Sequence, residues 1–286
     1  MSDRLLPRHT IAALRVSNMR TIGCVAVNVF KESVRDQVLY SLVAFATLHI
    51  VVSYLIGQLT AGQDVKIIKD LGLAAIATFG LLIAVFIGIG LVWKEVERRS
   101  IYSLLSKPIR RHEFILGKYA GLALTLFVNI AMMTLALYGV LAYMNTQFPA
   151  AARSVWPAPA ADPRMLLAVA LIFIELLLVI AIALFFSTFS SPFLSAALTC
   201  GLWVVGHFSA DLRNFESVVE TKSAAYLARA LYYILPNFAA FDVKTQVVYA
   251  LPVPPSYLVT TAAYGFAYIA LLLTGAVVIF GRRDFR

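Results

Sequence analysis

Glu175 is the residue whose type and position most suggest a chemical role in this chain. It lies in the apolar run of residues 165–186, near the middle of a segment long enough to cross a membrane. Inserting a carboxylate at that depth of the membrane costs at least ~2.5 kcal/mol of free energy, so we expect Glu175 to face protein or water rather than lipid. Three interpretations stay open. Glu175 is a substrate-path, gating or proton-carrying residue, a structural partner of a polar neighbour such as Asn129 or His49, or an end-of-helix residue if the span boundaries shift.

Other residues that could ligate or react are few and scattered. His49 and His207 lie in apolar runs, and Cys24 and Cys200 are far apart in the chain. Without a cluster of His, Met and Cys, we expect structural histidines rather than metal ligands, and unpaired cysteines. The sequence has no zinc spacing, glycine-rich phosphate loop or nucleophile elbow. We therefore expect no enzymatic activity, metal or cofactor on this chain.

A charged segment, residues 93–118, separates two long apolar runs and is called the polar loop here. From Glu95 to Leu105 it has the composition of a surface helix, with an apolar stripe and favourable charge pairs. Pro108 suits the first position of a second helix, because proline needs no backbone hydrogen bond there. That helix is expected to run on into the third span, with Lys118 reaching the membrane surface where the helix enters. The polar loop thus predicts a helix, a break and a second helix, in a position to dock a soluble partner.

The elements around these residues are predicted to be membrane spans. The chain is 61% hydrophobic and only 14% charged, unlike an ordinary soluble domain. A helical span needs about 20 apolar residues. Six segments meet that length within a few residues: 39–57, 72–92, 117–143, 165–186, 193–210 and 260–280. We predict an all-α polytopic membrane protein with a single domain over residues 19–286, preceded by an extension over residues 1–18.

The distribution of positive charge predicts the orientation. Loops on the side of both termini hold 16 Lys and Arg residues, and the opposite loops hold 8. Cytoplasmic loops carry the excess of such residues, so both termini and the polar loop are expected in the cytoplasm. This bias accounts for the net charge of +9 without a nucleic-acid partner.

Three shorter helices are predicted outside the spans. From Met19 onward, Val25 and Val29 share one face, which predicts an amphipathic helix in the cytoplasmic interface. Ser223–Leu235 and Val243–Leu251 are expected to form two short re-entrant helices before the last span.

The polar loop resembles the loop between spans two and three of type-2 ABC exporter permeases. The rest of the layout over residues 19–286 is similar to that family. Residues 26–36 and 235–238 further resemble the branch associated with nitrous-oxide-reductase maturation. The matching pattern in the polar loop is Glu95-x-Glu97-Arg98-x-Ser100, then Leu104-Leu105-Ser106-x-Pro108-x-x-Arg111, then Gly117-Lys118.

The resemblance implies that the helix of the polar loop is a coupling helix, held in a cleft of a cytoplasmic ATPase subunit. ATP and magnesium would bind that partner, since this chain has no Walker motif. The resemblance also implies two ATPase copies and a second permease, as a homodimer or a heterodimer with a similar permease. It further implies the bacterial inner membrane and, for the suspected branch, a periplasmic factor. The implied ATPase contacts are Glu95, Glu97, Arg98, Arg99, Ser100, Leu104, Leu105, Ser106, Pro108 and Arg111.

In that family, spans two and five line the transport path. Phe79, Phe86, Trp203 and His207 are therefore candidates beside Glu175. Two other functions stay open. One is a proton-coupled secondary transporter using Glu175, although a single buried acid without paired broken helices argues against it. The other is a membrane scaffold that transmits ATPase motion to an external partner, which the loop pattern does not separate from transport.

Overall fold

The computed structural model describes residues 8–59, 64–97, 110–149, 153, 156, 158–208 and 235–282. Within these ranges the chain is helical and contains no strand, so the all-α fold is confirmed. A 3₁₀ turn, Ala239–Phe241, precedes the last two helices. The helices are α1 (Arg8–Val34), α2 (Gln37–Gln58), α3 (Asp64–Glu97), α4 (Arg111–Gln147), α5 (Met165–Ser187), α6 (Pro192–His207), α7 (Lys244–Val248) and α8 (Pro255–Arg282).

Five of these helices are long and apolar enough to cross a membrane: α2, α3, α4, α5 and α8. They correspond to five of the six predicted spans. The remaining predicted span, residues 193–210, coincides with α6, which has 16 residues. At 1.5 Å per residue α6 is about 24 Å long, shorter than the usual hydrocarbon thickness.

Helix α5 forms the centre of the bundle. It is the most apolar helix, and every residue from Glu175 to Leu184 is buried. Helices α3, α4, α6 and α8 pack around it, while α2 packs against α3 and α4. Large apolar side chains on the outer helices remain exposed, as expected of surfaces in contact with lipid, for example Phe45, Leu135 and Leu271.

The two ends of the bundle hold different parts of the chain. The proximal end holds the α1–α2 junction, the start of α4, the α5–α6 turn and the end of α8, as the Phe114–Phe280 ring contact illustrates. The distal end holds the α2–α3 and α4–α5 connections, the end of α6 and the segment 235–254, as the Lys66–Tyr249 contact illustrates.

Helix α1 packs along the start of α4 at the proximal end. Val29 is buried, whereas Lys31 and Glu32 are exposed, which agrees with the predicted two-sided helix. Gly121 allows the close approach, because a Cβ there would lie 2.6 Å from the Ala26 carbonyl oxygen. The helix already begins at Arg8, so no helix end marks the boundary predicted between residues 18 and 19.

Before the last span, the predicted helix Val243–Leu251 is found as the shorter helix α7. The predicted helix Ser223–Leu235 lies outside the described residues, apart from Leu235. The 3₁₀ turn and α7 are anchored in the bundle by buried Phe238, Phe241 and Val247.

Candidate functional site

Glu175 lies in the best-packed part of the bundle, where its side chain is only 7% exposed. Because α5 is surrounded by other helices, a polar side chain at its middle must find its hydrogen-bond partner within the protein. For Glu175 this partner lies on α6, the helix that follows α5 after a short turn.

Trp203 and His207 of α6 both lie beside the Glu175 carboxylate. Trp203 Nε1 donates a hydrogen bond to Glu175 Oε1 at 2.8 Å, and His207 Nε2 lies 3.9 Å from the same oxygen. The two residues are four positions apart, so they share one face of the helix. Their rings are 4.4 Å apart. The structure thus brings together three of the five residues predicted for the substrate path.

The segment after residue 234 packs over this site from the distal end. The Phe238 ring stacks on His207 with 6.1 Å between centroids and 13° between planes. The Phe238 backbone N–H donates to the Gly206 carbonyl at 3.1 Å. Gly206 is required there, because a Cβ would lie 2.5 Å from the Pro236 carbonyl oxygen. The Asn237 backbone N–H donates to the Tyr264 hydroxyl of α8 at 2.9 Å.

These five residues, Glu175, Trp203, His207, Asn237 and Tyr264, are called the distal polar cluster. Two charged residues of the same segment, Asp242 and Lys244, form an ion pair at 3.4 Å. Both lie within electrostatic range of Glu175 and His207. The cluster therefore joins α5, α6 and α8 to the chain segment that closes the distal end.

The neighbours suggested for Glu175 by the sequence are wrong. Asn129 Nδ2 instead donates to the Thr125 carbonyl one turn earlier in α4, at 2.6 Å. His49 is exposed on α2 and lies against Phe79, with 6.2 Å between ring centroids. Phe86 is 58% exposed. Phe79 and Phe86 thus have other surroundings than the distal polar cluster.

No metal centre is suggested by the described side chains, among which no group of three His, Cys, Asp or Glu residues has a suitable arrangement. Glu175 on α5 and His207 on α6 would supply only two ligands, which is too few for a structural metal site.

The polar loop connects two long helices at the proximal end. Helix α3 continues through Glu95 and Glu97, and α4 begins at Arg111. The other predicted ATPase contacts, Arg98, Arg99, Ser100, Leu104, Leu105, Ser106 and Pro108, lie outside the described residues.

One prediction for the polar loop is wrong. We expected the helix beginning at Pro108 to run unbroken into the third span. Arg110 instead has an extended backbone, with φ −72° and ψ 141°, directly before α4. The Arg110 N–H donates to Glu113 Oε2 at 3.2 Å. A carboxylate at this position also stabilises the positive end of the helix dipole, which explains the start at Arg111.

The base of the polar loop is anchored in the bundle. Lys118 was expected to reach the membrane surface, but it is fully buried, with Nζ 5.0 Å from the Phe114 ring centroid. Phe114 stacks on Phe280 near the end of α8. Gly117 packs against Val25 of α1. Helices α1, α4 and α8 thus meet directly below the loop.

A family model described as "ABC-2 family transporter protein" matches residues 24–285. The match runs from the middle of α1 to the end of α8, and it includes the polar loop and the distal polar cluster. This chain belongs to the ABC-2 transporter family. No curated protein matches it.

Membership of the ABC-2 family identifies the chain as a multi-pass membrane permease. Such permeases are transport components without catalytic activity of their own, and they generally work with an ATPase subunit. The prediction of a type-2 ABC permease is thereby confirmed. The nitrous-oxide-reductase branch stays a prediction.

The permease has a second buried polar cluster that the sequence interpretation missed. Lys69 of α3 is 1% exposed, and its Nζ donates to the Pro159 carbonyl at 2.8 Å. The Tyr138 hydroxyl donates to the Asp162 carbonyl at 2.8 Å, and Asp162 lies within electrostatic range of Lys69. We assigned Lys69 to an external loop because the predicted span began at residue 72. A signal was available in the residues at positions 65, 68, 72 and 73, which carry no charge and whose helical spacing places position 69 on the same buried face of α3.

Proposed function

We propose that this permease is the transmembrane subunit of an ABC exporter-type complex, driven by a separate cytoplasmic ATPase. The family match across residues 24–285 carries the proposal. Two copies of the ATPase subunit would bind and hydrolyse ATP with magnesium. Each would hold the polar loop of one permease copy in a homodimer in the bacterial inner membrane, with both termini in the cytoplasm.

The lengths of α3 and α4 support a mechanical role for the polar loop. The apolar run of α3 ends at Trp93, and the helix continues to Glu97. These four further residues extend it by about 6 Å. Because helices are stiff along their axes, a push on the loop would displace α3 and α4 as rigid bodies. Both pack against the central helix α5.

The anchored base of the loop supports the same mechanism. Arg110 is fixed to α4 by Glu113, and Phe114 and Gly117 connect that helix to α8 and α1. Motion at the loop would therefore reach three helices at the proximal end at once. At the other end, Glu175, Trp203 and His207 would respond to changes in the packing of α5 against α6.

Family membership favours this mechanism over a proton-coupled secondary transporter. Export and mechanical transmission to a periplasmic factor share the same loop contact. They differ only in what the distal end acts on, and we propose export as the function.

Copurification with the ATPase subunit tests the proposal. The partner to test is an ABC ATPase encoded beside this reading frame, where one is found, coexpressed with the permease. We expect it to copurify with the unaltered chain and to be lost with Leu104→Asp combined with Arg111→Glu, which disrupts the apolar centre and the charged rim of the contact. The control is Glu32→Gln, a substitution at an exposed residue of α1. Failure of the ATPase to bind, or equal binding by the loop variant, would contradict the proposal.

A further inference from the structure

His49 is a polar side chain that is exposed near the middle of a membrane span. Helix α2 has 22 residues, and His49 lies about 18 Å along the helix axis from Gln37 and about 14 Å from Gln58. The hydrocarbon core of a bilayer is about 30 Å thick, so His49 lies near its middle. Ionisable side chains at that depth almost always face protein or water. The surface around His49 is therefore unsuited to lipid.

Thr78 is a second exposed polar residue at the same depth. It lies on α3 next to Phe79, whose ring centroid is 6.2 Å from that of His49. Other threonines of this bundle donate to a carbonyl one turn earlier in their own helix, as Thr125 and Thr134 of α4 do. Within the described part of the chain, neither Thr78 nor His49 makes a hydrogen bond. Two neighbouring helices thus each present a polar group that still needs a partner.

The exposed side of α4 has a different composition. From residue 121 to residue 138 its exposed side chains are all apolar, namely Leu124, Phe127, Met132 and Leu135. On α8 the exposed Thr274 donates to the Ala270 carbonyl of its own helix, so its hydroxyl is satisfied without another partner. These surfaces suit lipid chains, whereas the exposed polar groups of α2 and α3 do not.

The polar groups lie among apolar side chains that can pack against another helix. Thr78, Leu82 and Phe86 are four residues apart and exposed, so they share one face of α3. Together with Phe79 and His49 they are called the His49 face. Packing of apolar side chains combined with hydrogen bonds between helices is what drives helix association in membranes. The His49 face has both components.

The chemistry of the two polar groups fits a second copy of the same face. A neutral histidine ring has one donor and one acceptor, and a threonine hydroxyl both donates and accepts. A face of this kind is self-complementary, as a contact across a two-fold axis requires. A partner that offered only donors or only acceptors would satisfy half of these atoms.

We propose that the His49 face binds a second copy of this permease, and that His49 and Thr78 form hydrogen bonds across the interface. This inference rests on the proposed function, because it locates the contact between the two permease copies. Phe79 and Phe86, which the sequence predicted for the transport path, then lie where the two copies meet.

Photochemical cross-linking from α3 and α4 tests which face meets the second copy. Phe86 is 58% exposed on the His49 face, and Phe127 is 55% exposed on α4. Each is replaced in turn by the photoreactive analogue benzoylphenylalanine, which keeps an aromatic ring at the position. Two full-length chains with different affinity tags are coexpressed, and their membranes are illuminated. We expect a covalent product of twice the chain mass that carries both tags from position 86, and none from position 127.

The cross-linked products decide between the possible occupants of the face. A product from position 86 that carries one tag and a different protein would assign the face to another subunit and overturn the proposal. Absence of a two-tag product from position 86, or equal yields from both positions, would also overturn it.

Substitutions of the polar groups test their contribution to the dimer. Energy transfer between copies with donor or acceptor fluorescent tags, in phosphatidylcholine liposomes of decreasing protein content, gives the dissociation constant of the dimer. His49→Leu should raise this constant about three- to thirtyfold, the range for hydrogen bonds between membrane helices. Thr78→Val should raise it severalfold and decides the question if His49→Leu does not fold. Met132→Leu on α4 is the control and should leave it unchanged.

Equal dissociation constants for His49→Leu, Thr78→Val and Met132→Leu would contradict the role of the polar groups. The ATPase should copurify with His49→Leu, because the polar loop lies at the proximal end and His49 in the middle of a span. An ATPase that binds while position 86 gives no two-tag product would overturn the interface alone. A two-tag product without ATPase binding would overturn the proposed function alone.

Discussion

Two buried side chains of opposite charge, Glu175 and Lys69, fix different parts of the distal end. Glu175 accepts from Trp203 and holds α6 against α5, whereas Lys69 donates to the Pro159 carbonyl and holds the α4–α5 connection against α3. Each residue is tied to an element distant in sequence. Both contacts therefore stabilise the packing of helices and not the helices themselves.

Substitution of Lys69 should destabilise the permease. Lys69→Met removes a charged donor from the Pro159 carbonyl, and such hydrogen bonds contribute about 1.5–3 kcal/mol to the free energy of unfolding. Lys66→Met on the same helix is the matched control. It removes only a cation–π contact with Tyr249, worth less than about 1 kcal/mol at a partly exposed site. Thermal unfolding of the purified chain measures both, and equal midpoints for the two variants would contradict the role of Lys69.

The sequence predicted which residue in the middle of a span needs a partner, but not the partner itself. Glu175 could be found because a single carboxylate interrupts an apolar run. Its neighbours depend on which faces of the surrounding helices pack against α5. The sequences of apolar helices do not indicate which faces these are. Trp203 and His207 could be grouped because they are four residues apart. Their contact with Glu175 required the α5–α6 turn and the closing segment around Phe238.

Among the elements, α1 and α4 have the closest backbone approach described at the proximal end. Gly117 and Gly121 lie one turn apart on α4, and α1 packs directly over both. The two helices can lie this close only because glycine has no side chain. Substituting these glycines therefore tests the packing of α1 without any measurement of activity.

Two matched alanine substitutions in α4 should change the free energy of unfolding in opposite directions. Gly121→Ala places a Cβ 2.6 Å from the Ala26 carbonyl oxygen, and overpacking of this kind costs about 1–3 kcal/mol. Gly139→Ala, on the same helix, meets no atom within 4 Å and should gain up to about 1 kcal/mol from helix propensity. Unfolding midpoints, with limited proteolysis of α1, measure the effect. Stabilisation by both substitutions would show that α1 does not pack here.

Helix boundaries at the polar loop were predictable only in part. Charge and proline content predicted a break between two helices. The start of α4 at Arg111 depends on Glu113 accepting from the Arg110 N–H, a local contact that competes with the proline signal three residues earlier. The extension of α3 to Glu97 was missed, because the change to charged residues after residue 93 suggested a separate surface helix.

For the molecule as a whole, the proximal and distal ends should lie on opposite sides of the membrane. Three helices long enough to span, α2, α3 and α4, separate Glu32 from Thr146. Both residues are exposed. The excess of Lys and Arg predicts the cytoplasm for Glu32 and the outside for Thr146.

Cysteine labelling of intact cells checks this orientation. In a chain with Cys24→Ser and Cys200→Ser, a membrane-impermeant maleimide should label Thr146→Cys in intact cells and Glu32→Cys only after lysis. The reverse pattern would place the polar loop outside the cell, where no ATPase could reach it. Labelling of both positions in intact cells would contradict the number of spans between them.

Cross-linking to the ATPase tests the central claim, contact through the polar loop, most directly. In the same cysteine-free background, a single cysteine at Ser106 is compared with one at Thr146. Each is labelled in the purified complex with a short maleimide–benzophenone reagent, whose maleimide bonds to the cysteine and whose benzophenone, on illumination, inserts into a nearby C–H bond of the partner. We predict an ATPase cross-link from Ser106→Cys and none from Thr146→Cys. A stable complex that cross-links from Thr146→Cys, or that never cross-links from Ser106→Cys, would contradict the account.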